Sequence, residues 1–227
     1  MSSIISQPTS EVSYNQGLFF VFSAGVLWST VGISIRLIED ASVWQILLYR
    51  SLALSTFLYF VIRFRSGENP FVQVRRSGLP AAFAGLALVA AYSGGIYSIK
   101  VIPVANALLL FATAPFMAAV LGWIVLRERV RYTTWIAILV AIGSIMIMVS
   151  GQTSNGALDG TLAALGSAFG FALFTIGLRW GRSEEMLPAV FLSGVFAIVI
   201  ASIICLIMGL PFVLSPGDVS ISISMGV

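Results

Sequence analysis

An arginine stands at position 50 inside the run Ile46-Leu47-Leu48-Tyr49-Arg50-Ser51-Leu52-Ala53-Leu54. Its guanidinium stays charged and presents a planar fork of donors suited to a carboxylate or a phosphate. In the middle of a hydrocarbon layer such a charge costs about 2.5–3.5 kcal/mol on insertion scales, so something must compensate it. One reading has Arg50 facing a cavity and holding an anionic group. The other has it tie helices together through backbone carbonyls, or reach outward along its apolar stem. Pro115, in Phe111-Ala112-Thr113-Ala114-Pro115-Phe116, has no amide to return to the carbonyl of Phe111. In lipid that carbonyl needs a donor from the protein or a watered cavity. A hinge, a carbonyl offered to a solute and a static kink are all open. Trp28, Tyr92, Tyr97 and Asn106, with Ser93 and Thr113 near them, are groups that orient a ligand in a mostly apolar pocket. Each also serves elsewhere as packing or as an interfacial anchor.

Covalent chemistry lacks its residues. The chain has no histidine and one cysteine, Cys205. An intramolecular disulfide, a zinc site of His/Cys type, an HExxH protease and a Ser-His hydrolase are therefore excluded. No cofactor, no metal and no enzymatic activity are expected. No Asp or Glu falls near the centre of an apolar run, where a proton carrier would sit. Glu128, between Arg127 and Arg129, reads as a salt-bridged helix-end cap.

The elements that carry these residues are membrane spans. Of the 227 residues 59% are hydrophobic and 9% charged, with a mean hydropathy of +1.02; soluble domains carry about 25% charged residues. The fold class is an all-α integral membrane protein, a polytopic helical bundle. Seven spans are expected, roughly over residues 17–38, 43–62, 79–99, 103–126, 132–150, 160–179 and 187–209. Ser215-Pro216-Gly217-Asp218 reads as a turn and helix cap, and VSISISMGV opens an eighth span. Gly94-Gly95 and the Gly166–Gly170 pair are expected to let helices approach closely. Residues 1–16 are polar without Lys or Arg and are expected to form a disordered cytoplasmic tail ahead of an uncleaved first helix. A cytoplasmic N-terminus puts Arg63, Arg65, Arg75, Arg76, Arg127, Arg129, Arg131, Arg179 and Arg182 inside, against Arg36 and Lys100 outside. This obeys the positive-inside rule. The pI of about 9.4 thus reports topology and not a nucleic-acid partner.

The stretches GLFFVFSAGVLWSTVGISIR (residues 17–36) and GTLAALGSAFGFALFTIGLR (residues 160–179) both open with Gly, run apolar and small, and close with Arg at the same offset. The same shift sets Arg50 opposite Ser193, so that arginine is not repeated. Five spans separate the two starts. Five is odd, so the second unit enters the membrane from the other side, an inverted-topology repeat of the kind that builds secondary transporters. The expected domains are a first five-helix repeat over 17–151 and a partial second over 160–227, with two spans and the start of a third. Inverted five-helix repeats make ten helices when complete. About seven, with the start of an eighth, are expected here, as in a fragment or a truncated product.

Further residues carry a family likeness. Tyr97-Ser98-Ile99-Lys100 ends the third span, Val104-Ala105-Asn106-Ala107 opens the fourth, Pro115 lies within it and Leu126-Arg127-Glu128-Arg129 closes it. A Gly-rich fifth span follows around Gly143, with Trp28 and Arg50 in the first and second. Over roughly residues 17–209 the chain resembles the EamA-like transporters of the drug/metabolite transporter superfamily. The resemblance implies a multi-pass protein of the bacterial inner (plasma) membrane that exports or exchanges small metabolites such as amino acids or related organic solutes. It implies a central cavity lined by helices one, three and four with six, eight and nine, and helix two beside it. The substrate-pathway candidates are Arg50, Trp28, Tyr92, Tyr97, Asn106 and Pro115. Partners would be a small-molecule substrate and the lipid bilayer, with a homodimer open. A non-transporting assembly partner and a lipid-modifying membrane enzyme are the competing classes.

Overall fold

The computed structural model describes residues 14–38, 40–151, 156–181 and 186–226. The tail expected over 1–16 lies outside them as far as residue 13, and so does Arg182 of the cytoplasmic set. Residues 14–16 begin the first helix. The described residues fold into α1 (Tyr14–Leu37), α2 (Val43–Ser66), α3 (Pro70–Val101), α4 (Val104–Phe111), α5 (Ala114–Val125), α6 (Tyr132–Ser150), α7 (Ala157–Trp180), α8 (Leu187–Ile207) and α9 (Pro216–Ser224). Seven segments, with α4 and α5 as one, are long and apolar enough to cross a membrane.

Local chemistry sets several helix ends. Ser42 caps α2 by accepting from the Gln45 amide, while the Gln45 side chain accepts from the Ser42 amide, a reciprocal capping box. Gly67 ends α2 in the left-handed conformation (φ 68°), which costs glycine little. Asn69 then caps a new helix with Pro70 in its first turn. The stretch over 70–77, expected as a connection, is helical because of this cap. It meets the membrane span at Gly78 (φ 64°, ψ −152°), a kink two residues before Pro80. Ser215 accepts from the Asp218 amide and starts α9, the cap expected there. The fourth span is not one helix. It breaks at Ala112-Thr113, so Pro115 stands in the first turn of α5 and not in mid-helix. Proline is tolerated at that position because its missing amide would be unpaired there anyway.

Helix α3 packs against α7 and α8, α2 against α8, and α4 and α5 against α7. Helix α9 lies on α2 and α1. Association in lipid depends on close packing and interhelical hydrogen bonds, since lipid tails are as apolar as leucine. A methyl group at Gly170 would stand 2.9 Å from the Ala87 carbonyl oxygen, and one at Gly94 2.8 Å from that of Ala163. These two glycines let α3 and α7 touch backbone to backbone, and the Ser167 hydroxyl donates to the Ala91 carbonyl across the contact (2.7 Å). Gly166 is different: nothing comes within 4 Å of its added methyl, so the packing expected of it falls to Gly170 alone. Helices α1 and α6 are largely exposed along their apolar lengths, as lipid-facing helices are.

Candidate functional site

The break between α4 and α5 opens onto a cavity of about 920 Å³. Helix α1 contributes Trp28, Thr30, Val31 and Ser34, α3 contributes Tyr92, Gly95, Ile96 and Ile99, and α7 contributes Ser167 and Phe171. Phe111, Ala112 and Pro115 line it at the break itself. Irregular backbone at membrane depth is tolerated where it borders a cavity or other protein, and here it borders a cavity.

Arg50, from α2, is the charged residue of this lining. Its guanidinium carbon lies 4.1 Å from the centre of the Tyr92 ring, a cation–π contact that stabilises a desolvated charge by about 2 kcal/mol. Its Nε donates to the Met225 carbonyl over a long 3.4 Å. Among the described residues its two terminal nitrogens donate to no protein acceptor. The tie to backbone and a place in the cavity lining thus coexist: Nε reaches the Met225 carbonyl at the end of α9, and Arg50 borders the cavity.

Of the sequence candidates, Arg50, Trp28, Tyr92 and Pro115 line the cavity together, while Tyr97 and Asn106 do not. Helical geometry explains both. Gly95, Ile96 and Ile99 follow Tyr92 at offsets of three, four and seven and share its face. Tyr97, at an offset of five, is turned about 140° away and is exposed on the bundle's surface. Asn106 precedes the lining residue Leu108 by two positions, about 200° around α4. Ser93 bonds back to the Ala90 carbonyl, and buried Thr113 donates to the Leu110 carbonyl (2.6 Å).

Phe171 was not among the candidates. A phenylalanine in an apolar helix carries no mark that separates a cavity wall from a lipid contact. The signal that could have found it is the spacing Ser167, Phe171, Thr175, Arg179, one face of α7 at every fourth residue. The lower part of that face lines a second cavity of about 430 Å³, whose walls also include Glu128, Arg129 and Arg131. Glu128 pairs with Arg179 Nη1 at 2.8 Å, both side chains about half exposed. The pair fastens the α5–α6 connection to α7, and exposure limits its worth to about 0–1 kcal/mol. At the opposite end, Lys100 donates to the Ala41 carbonyl and Arg36 to that of Ile102. Among the described residues no group of three His, Cys, Asp or Glu side chains is placed to hold a metal.

The family model described as "EamA-like transporter family" matches residues 15–150. No curated protein and no solved structure matches the chain.

Proposed function

From the premise that this chain belongs to the EamA-like transporter family, we propose that it is a secondary transporter, an exporter or exchanger of small metabolites such as amino acids or related organic solutes. The family makes it a membrane transporter of the drug/metabolite type. Substrate class and mechanism are our reading. The observation that carries it is the cavity of about 920 Å³ beside a broken span, with the cationic Arg50 in its lining. A solute with one anionic group and an apolar body matches that lining: Arg50 takes the charge, while Tyr92, Trp28 and Ile96 take the body.

Alternating access of two oppositely threaded halves is the proposed mechanism. The pattern of helix contacts supports it. Exchange α1 with α7, α2 with α8 and α3 with α9: the packing of α3 on α7 then becomes that of α9 on α1. The packing of α3 on α8 becomes that of α9 on α2, and α2 on α8 maps onto itself. The proposed domains are accordingly 17–151 and 160–227, with the N-terminus cytoplasmic and the protein in the plasma membrane. The excess of arginine at the α2–α3 and α5–α6 connections supports this orientation.

Counterflow tests the reading. Proteoliposomes holding the purified chain and loaded with an unlabelled mixture of amino acids and simple organic acids should accumulate the labelled counterpart of at least one. Vesicles with folded protein that accumulate none, beyond protein-free controls, would contradict it. Chemically altered solute would point instead to a membrane enzyme.

A further inference from the structure

The two cavities share three wall residues, Ala114, Pro115 and Phe171. They are therefore neighbouring chambers, which adjoin at the first turn of α5 and at Phe171. Helix α7 walls both chambers on one face: Ser167 in the central chamber, Phe171 in both, Thr175 and Arg179 in the inner one. At 1.5 Å per residue this track runs about 18 Å. Opposite it, α5 presents Ala118 and Ala119, side chains small enough to leave room for a solute. The inner chamber carries three arginines and one carboxylate. Glu128 neutralises Arg179. Arg129 and Arg131 have no ion-pair partner among the described residues, and both line the space.

We infer that the inner chamber is a loading site for organic carboxylates, in series with Arg50, and that Phe171 is the partition the solute must pass. This rests on the transport reading above and deepens it to a substrate class. Arg129 and Arg131 gather the carboxylate at the inner mouth by charge. The small α5 wall and Thr175 guide it to Phe171, and Arg50 over Tyr92 is the next cationic station. Cations are repelled at both stations, so the order of the charges selects as well as conducts.

Benzoate, a carboxylate on an apolar ring, is the probe, with benzylamine as its cationic counterpart. Labelled benzoate flux is measured in proteoliposomes from each face, for the unaltered chain and for Arg129→Gln/Arg131→Gln. The double variant should raise the half-saturating concentration on the arginine-bearing face by at least about tenfold, the loss expected of a charge-assisted contact. The value on the other face should hold, and Arg129→Lys/Arg131→Lys should restore most of the loss. Phe171→Ala should widen the partition and speed benzoate exchange. An unchanged half-saturation on the arginine face, or benzylamine carried as well as benzoate, would overturn the inference. The set is repeated in pure phosphatidylcholine and with phosphatidylglycerol added. A defect seen only with the anionic lipid would assign the two arginines to headgroups, and that also overturns it. Amino-acid counterflow without benzoate flux would sink the carboxylate assignment and leave the transport reading standing; no counterflow of any solute would sink both.

Discussion

At the scale of single residues, the chemistry of Arg50 depends on which of its nitrogens are already used. Tyr92 covers the guanidinium face and Met225 draws on Nε, so the charge is stabilised while none of the described residues takes its terminal donors. Arg50→Gln should abolish transport of anionic and zwitterionic solutes while the protein still purifies as a single folded species. Unchanged kinetics would remove Arg50 from the site, and loss of folded protein would make it a helix tie. Tyr92→Phe keeps the ring face and should transport normally. Tyr92→Leu removes it and should weaken solute binding by about 0.5–2 kcal/mol through a less firmly held guanidinium. Equal transport by both Tyr92 variants would show that the ring does not position Arg50. A charge in an oily run was visible in sequence because its cost demands an explanation. Tyr97 and Asn106 drew attention by residue type and by the stretches that carry the family likeness, and neither signal reports which face of a helix a residue takes; the turn of each helix sets them off the cavity's face.

Among the elements, the contact between α3 and α7 is the one on which the cavity's walls depend, and it rests on glycines. Gly170→Ala sets a methyl 2.9 Å from the Ala87 carbonyl oxygen and should destabilise the protein by about 1–3 kcal/mol, the usual cost of overpacking. Gly166→Ala meets open space and should leave stability unchanged or raise it by up to about 1 kcal/mol, from better helix propensity. Thermal unfolding in one detergent compares the two, and equal effects would mean that backbone contact does not hold these helices. The seven spans and the Ser215 cap were readable from apolar length and turn chemistry, because both signals are local. The break in the fourth span and the helix over 70–77 were not. Each depends on a choice between two competing locations for a turn, Ala112-Thr113 against a kink within a helix, and Asn69 with Gly78 against an open loop.

For the whole molecule, the proposed symmetry makes unequal use of its matched residues. Gly160 is pressed against Val101 and Ile102, yet Gly17, its counterpart by sequence, meets nothing within 4 Å. Arg36 and Arg179 end their helices alike, each fastened to a neighbouring connection, one at the Ile102 carbonyl and one at Glu128. The proposed repeat was read in the sequence from those arginines, whereas the two neighbouring cavities were not legible there, because cavities arise from several helices at once. In the proposed mechanism, opposite threading of the two halves makes a single passage reachable from both sides. Its direct test replaces Cys205 with alanine and adds one cysteine, Gln16→Cys or Asp159→Cys, for labelling by a membrane-impermeant maleimide in sealed vesicles of known orientation. The two positions should label from opposite faces. Labelling of both from the same face would contradict the inverted halves and the passage between them.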